Sequence, residues 1–218
     1  MGKIENRFDN ECQVVELTTW KRRKNYEFFR DFLNPNVCVT VNVNALHAFN
    51  RAKSEGRSFF LLYFHTILRV MNEIDELHYR FDREGRILHY ARIDGLAPIR
   101  LKGMDRFAEL RFRYLPDFDE FAAAAAMTME KAATTEAYSA ENSLSGFDMA
   151  LVSAVPDLAF TSVTGTLRSS LGNDYPLVTV GKMSADGNMP VALSIHHAFV
   201  DGEHVTRFYA LVQKFLDE

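Results

Sequence analysis

The order of apolar and polar positions divides the chain into short alternating stretches and longer helical ones. A first helix is expected from about Trp20 to Leu33, with Thr18 or Thr19 as its N-cap and Pro35 just past its end. Val37 to Val43 is rich in β-branched residues, which suit a pleated surface, and reads as a strand. Ala45 to Lys53 reads as a helix with Gly56 beyond its end, and Ser58 to Ile74, apolar on nearly every face, as a largely buried one. Leu77–Phe81 and Ile87–Ala91 predict two short strands, with Arg83-Glu84-Gly85-Arg86 between them as a hairpin signal. Glu109 to Leu115 alternates charge and bulk until Pro116 stops it, and Asp119 to Tyr138 is an Ala-rich helix. Asp148–Val155, Pro176–Lys182 and Pro190–His196 complete the strands, with Asp186-Gly187 as a turn, and a helix closes the pattern from about Gly202 to Leu216.

Strands and helices are mixed here without strict alternation. That predicts an α/β two-layer sandwich: a mixed sheet with helices packed on one side. Without an internal repeat or a Pro/Gly/Ser-rich linker, residues 1–218 are expected to form a single domain.

Composition narrows the function classes. Apolar residues make up 47% of the 218 residues, eighteen of them Phe, enough for a sizeable core. The formal charge of −4 argues against a nucleic-acid binder, which needs a basic face to displace counterions. Cys12 and Cys38 form neither a disulfide framework nor a metal-site spacing, so no metal is expected. No secretory h-region opens the sequence and no apolar run has membrane-spanning length; the expectation is a cytoplasmic protein with no membrane partner.

The segment that carries chemistry is Ser194-Ile195-His196-His197-Ala198-Phe199-Val200-Asp201-Gly202. It lies where a strand ends and a helix begins, a place where side chains emerge into clefts. Neighbouring histidines on a strand face opposite ways, so one of them at most looks into a given pocket. Asp201 suits a helix cap or an arginine partner, and Gly202 a close approach or tight turn. An imidazole can take a proton from an alcohol near neutral pH. A zinc reading fails, since no further His/Cys cluster has ligand spacing. His65 and His89, set in apolar patterns, read as packed histidines, and His196 as structural.

The stretch His196-His197-Ala-Phe-Val-Asp201-Gly202-Glu-His204-Val resembles the signature of the chloramphenicol acetyltransferase family. Trp20-Lys21-Arg22-Arg23-Lys24-Asn25-Tyr26-Glu27-Phe28-Phe29, Ser153-Ala154-Val155-Pro156 and Pro176-Leu177-Val178-Thr179-Val180-Gly181-Lys182 resemble three more of its motifs, in the same order. The resemblance implies a coenzyme A-dependent O-acetyltransferase with acetyl-CoA as co-substrate and chloramphenicol or a similar small alcohol as acceptor. It makes His197 the general base, Ser153 the oxyanion donor and Thr179 its helper. Asp201 would pair with Arg22 to fix the loop. Lys182, Arg57 and Phe59 match positions at the coenzyme phosphates and adenine; Phe28, Phe29 and Phe107 would wall the acceptor pocket. A homotrimer with sites between subunits is implied.

Two departures bear on the acceptor: Phe29 stands where the family often has Tyr, and Leu151 where it has Asn. Acyltransfer to a different acceptor, or a non-catalytic small-molecule-binding homologue, are the alternative readings. A dihydrolipoyl acyltransferase is disfavoured because no lipoyl-type domain or Pro/Ala-rich linker is evident upstream. A condensation domain would need about twice the length.

Overall fold

The computed structural model describes residues 10–82, 84–100, 107–134, 148–165 and 175–218. In chain order its elements are β1 (Cys12–Val14), α1 (Arg23–Phe29), β2 (Asn36–Asn44), α2 (Leu46–Ser54), α3 (Phe59–Glu73), a 3-10 turn (Asp75–His78), β3 (Tyr79–Phe81) and β4 (Ile87–Tyr90). There follow β5 (Asp94–Arg100), β6 (Phe107–Phe112), α4 (Phe118–Thr134), β7 (Met149–Val155), β8 (Leu177–Gly181), β9 (Asn188–His196) and α5 (Gly202–Asp217). Strands β2-β9-β8-β7-β5-β6 form a six-stranded sheet and β1-β4-β3 a smaller three-stranded one. The large sheet is mixed: β5–β7 and β7–β8 run parallel, the other pairs antiparallel. This is the α/β two-layer arrangement expected, with the helices as the second layer.

Strand parity decides which side chains meet the helices. Val152, Val178, Val180, Val191, Leu193 and Ile195 are buried in the main apolar cluster with Phe64, Ile67, Leu68 and Met71 of α3. Residues of the opposite parity, including Leu151, Ser153, Leu177, Thr179, Ala192 and Ser194, lie on the other face of the sheet. Helix α3 has the extent the pattern predicts. Ser58 caps it, its side chain accepting from the Leu61 amide, and Leu61 through Leu68 are all buried.

Several boundaries differ from expectation. Helix α1 is shorter than Trp20–Leu33, and Trp20 instead sits in a turn, its ring against Tyr79 and Phe199 at 5.2 and 6.2 Å. The start of the Leu77–Phe81 stretch is wound into the 3-10 turn, which leaves only Tyr79–Phe81 extended. Residues 135–138 of the predicted Ala-rich helix, and Arg83 of the hairpin, lie outside the described residues.

Two strands were not predicted at all. Strand β1 is three residues long, with only Cys12 buried. Strand β5 contains Gly95 and Pro98 and opens on Asp94, features that read as loop. It is a strand because the tertiary context answers each objection. A Cβ on Gly95 would come within 2.5 Å of the Phe64 ring, so glycine permits the close packing of α3. The buried Asp94 carboxylate accepts from Arg92 at 2.8 Å and Arg111 at 2.7 Å, and Arg111 also reaches Asp148 at 2.8 Å.

Candidate active site

The two adjacent histidines have opposite surroundings. His196, at the end of β9, is buried against the rings of Phe81 and Phe199 at 5.3 and 5.2 Å. Its Nδ1 accepts the Ala198 amide hydrogen at 3.2 Å, which places the ring proton on Nε2. Burial, with a smaller contribution from neighbouring His197, pushes its pKa down to about 4. A neutral, packed ring is the result, as expected of a structural histidine.

His197 turns the other way. Its ring lies flat on Phe29, 4.3 Å between centroids and 13° between planes. The His197 amide donates to Pro35 O at 2.9 Å, which ties the loop to the chain ahead of β2. About a third of the side chain is exposed (32%). Its Nδ1 has no hydrogen-bond partner among the described residues. The Asp201 carboxylate is 3.6 Å away, beyond hydrogen-bond range.

Asp201 is held from elsewhere. Arg22 grips it with two parallel bonds, Nη1 to Oδ2 at 2.8 Å and Nη2 to Oδ1 at 2.9 Å. The residues are 179 positions apart in sequence. Arg22 Nε adds a bond to Ala198 O at 3.2 Å, so one guanidinium fastens the loop at two points. Asn25, one helical turn along α1, donates to Asp201 Oδ1 at 3.2 Å. The Arg22 bonds hold the Asp201 carboxyl below the usual carboxylate range. Thus Asp201 binds Arg22, while His197 is near it but unbonded. The Asp201 amide donates to His204 Nδ1 at 3.0 Å. Asp201, Glu203 and His204 offer ligand atoms within 4.8 Å of one another, but the first and last already have these hydrogen bonds.

Ser153 and Thr179 sit side by side in the parallel β7–β8 pair, and Thr179 is opposite Ala192 of β9. Thr179 is buried and Ser153 half-buried. The register does not bring them to the histidine of their own chain. His196 lies four residues beyond Ala192, and Ser153 two strands across, so the two are on the order of 15 Å apart within one chain.

The remaining candidates are scattered. Phe28 and Phe107 are 64% and 67% exposed, and Phe28 meets Phe29 edge-on at 4.9 Å. Arg57 is engaged by Asp119 at 2.9 Å and Glu55 at 3.0 Å, and lies over the Phe118 ring. Phe59 packs edge-on against Phe49 and Tyr63, both at 5.3 Å, as part of the core margin. Lys182 is exposed, its amide bonded to Leu158 O. His65 is packed, with Nε2 2.9 Å from Leu115 O; His89 is half-buried, its ring against His78 and Tyr79 at 5.6 and 4.8 Å and its Nε2 2.8 Å from Asp75. Gly202 needs no special backbone, since its φ is not positive and an added Cβ would meet nothing within 4 Å. Among the described residues nothing approaches Gly202 closely, and it opens α5 instead of forming a tight turn.

The sequence reading overlooked Asn25 and His204 as anchors of Asp201. Each had a signal. Asn25 follows Arg22 at the spacing that shares a helix face, and His204 stands at the third position of a helix capped by Asp201.

Comparison with known proteins agrees with the motifs. Residues 10–213 match the sequence profile described as chloramphenicol acetyltransferase. Chloramphenicol acetyltransferase 2 of Escherichia coli is 25% identical over 213 residues, covering 93% of this chain and 96% of its own length. A solved chloramphenicol acetyltransferase superposes with a TM-score of 0.86 at 42% identity, covering 94% of this chain and 99% of its own. The cubic core of a pyruvate dehydrogenase multienzyme complex shares the fold, with a TM-score of 0.62 at 18% identity over 100% of this chain and 93% of its own. The chain belongs to the chloramphenicol acetyltransferase family, and with it to the acetyl-CoA-dependent acetyltransferases.

Proposed function

We propose that the chain transfers the acetyl group of acetyl-CoA to a hydroxyl of chloramphenicol or a similar small alcohol, with His197 as general base. The observation that carries this reading is the state of His197: an accessible imidazole, stacked on Phe29, whose neighbouring carboxylate is taken by Arg22. Such a ring is oriented by packing and backbone, and with Nδ1 buried it is Nε2 that is left for chemistry. His197 removes the acceptor's hydroxyl proton as that oxygen attacks the acetyl carbonyl. The tetrahedral intermediate collapses by breaking the C–S bond, and the same imidazole returns the proton to the departing thiolate. Ser153 donates to the oxyanion, a role typically worth ~2.7–4 kcal/mol, and Thr179 beside it helps hold the intermediate. Asp201 fixes the loop and relays no proton.

Ser153 and His197 can act on one substrate only if they come from different chains, given their separation within one. A homotrimer with sites at the subunit interfaces meets that need, and the exposed Phe28 and Phe107 then wall the acceptor pocket. Lys182, Arg57 and Phe59 receive the coenzyme's phosphates and adenine; for Arg57 this requires release from Asp119 and Glu55. The family setting and the absence of a membrane-spanning helix among the described residues support a cytoplasmic location.

Leu151 and Phe29 favour a second acceptor within the same chemistry, because each puts an apolar group where the family often has a polar one. Free-thiol release from acetyl-CoA, measured over a panel of hydroxylated antibiotics, tests the reading. Chloramphenicol should be acetylated with a KM above that of a better acceptor. Thiol release with another alcohol but none with chloramphenicol would keep the acetyl transfer and discard that acceptor. No release with any alcohol would leave a binding protein.

A further inference from the structure

Three parts of the chain fasten the loop between β9 and α5. The His197 amide is bonded to Pro35 O, Arg22 and Asn25 at α1 bind Asp201 with Arg22 also reaching Ala198 O, and the Asp201 amide is bonded to His204 Nδ1. The third comes from a side chain to which the reaction proposed above gives no part. We infer that His204 is a positioning residue for His197, pinning the C-terminal end of its loop through the Asp201 amide; this rests on the assignment of His197 as base.

The bond dictates the state of the ring. A backbone amide can only donate, so His204 Nδ1 must carry a lone pair, and the neutral ring has its proton on Nε2. That nitrogen lies 3.4 Å from Glu76 in the 3-10 turn and 3.7 Å from Glu203. The side chain is only 10% exposed. His204 therefore lies between the start of α5 and the turn after α3, with Nδ1 on the Asp201 amide and Nε2 beside the partly exposed Glu76.

The choice of residue is informative. At this position of a helix, the side chain that reaches back to the cap amide is ordinarily Glu or Gln. A glutamate here would put another carboxylate among Asp201, Glu76 and Glu203. It would compete with Asp201 for Arg22, the grip on which the loop depends. A neutral imidazole supplies the acceptor without the charge. Asparagine can do the same, because its Oδ1 has the reach of the histidine Nδ1.

The test uses the full chain as it assembles, with His204→Ala, His204→Asn and His204→Glu. Hydrogen exchange of the segment spanning Ala198 to Thr206 reports the amide contact, and thiol release with saturating acceptor reports the base. In His204→Ala, exchange should quicken and kcat fall by about tenfold each, the effect of losing one cap, while KM for acetyl-CoA stays within about twofold. His204→Asn should restore both readouts, and His204→Glu should restore exchange protection without kcat. Equal behaviour of the Ala and Asn variants, or an unchanged kcat in His204→Ala, overturns the inference. So does a loss confined to melting temperature. If the native chain releases no thiol with any alcohol, the functional reading falls. The exchange arm alone then decides whether His204 holds the Asp201 amide.

Discussion

Successive residues of an extended segment face opposite ways, and the histidine pair at the end of β9 shows how far this can separate two identical side chains. His196 is surrounded by Phe81 and Phe199, while His197 is placed on the outer side against Phe29. The division gives each a distinct signature. His197→Ala should lower turnover by ~10²–10⁴-fold while calorimetric binding of acetyl-CoA persists, since only the base is removed. If His196→Ala instead abolished turnover at unchanged stability, the base would be the other ring. His196 should show itself in pH-dependent stability. Its folded pKa, about 4, lies below the 6.5 of a free imidazole, so folding favours the neutral form. That contribution is complete above about pH 6.5 and is lost as pH falls toward 4, at up to ~1.4 kcal/mol per unit. Urea midpoints of the native chain should fall between pH 7 and 4.5 more steeply than those of His196→Asn, which has nothing to titrate. Parallel slopes would mean that His196 takes up its proton freely when folded.

At the scale of elements, the unit that matters is the loop from His197 to Asp201 with its clasp to α1. Two positions 179 apart meet in a two-pronged ion pair that shape, charge and hydrogen bonding all favour. Asp201→Asn keeps the volume and one acceptor but leaves the guanidinium without its counter-charge. Breaking a fully buried pair costs ~3–5 kcal/mol; with Asp201 one-third exposed (33%), about 2 kcal/mol is the better expectation. That is a melting-temperature drop of roughly 4–8 °C by calorimetry, with a lower kcat. An unchanged Tm would mean that water replaces the clasp. Arg22 and Asp201 could be paired before the structure was known only through the family motifs, because charge pattern alone says nothing of contacts at such range. The strands around them were readable where one rule sufficed. Val37–Val43 and Pro190–His196 carry β-branched or apolar patterns, and they pair as β2 and β9. Strand β5 was not readable, because what makes it a strand lies elsewhere in the chain. Arg111 neutralises its Asp94, and the Phe64 ring fills the space its Gly95 leaves. Asn25 and His204 escaped notice for a related reason: each is an ordinary polar residue until Asp201 is known to lie beside it.

At the scale of the whole molecule, the register of the large sheet makes a prediction about assembly. With Ser153 aligned to Thr179 and Thr179 to Ala192, Ser153 is on the face of the sheet opposite the one packed on α3, far from the histidine at the end of β9. Packing changes within one chain cannot close a gap on the order of 15 Å without breaking the register of buried strands. If both residues serve one reaction, each working site joins His197 of one chain to Ser153 of another. Light scattering at assay concentration should then find a trimer, and a fully active monomer would sink the shared site. A sharper test mixes two defective chains. His197→Ala supplies a sound Ser153, and Ser153→Ala a sound His197, so trimers containing both variants regain some intact interfaces. With random assembly after co-expression, about a quarter of the sites should be restored, and thiol release should rise to about that share of the native rate. Each variant alone should stay far below that level. A co-expressed sample no faster than its parents, though mass spectrometry finds both variants in one assembly, would show that the two residues do not act across an interface. Ser153 would then have no part in stabilising the oxyanion.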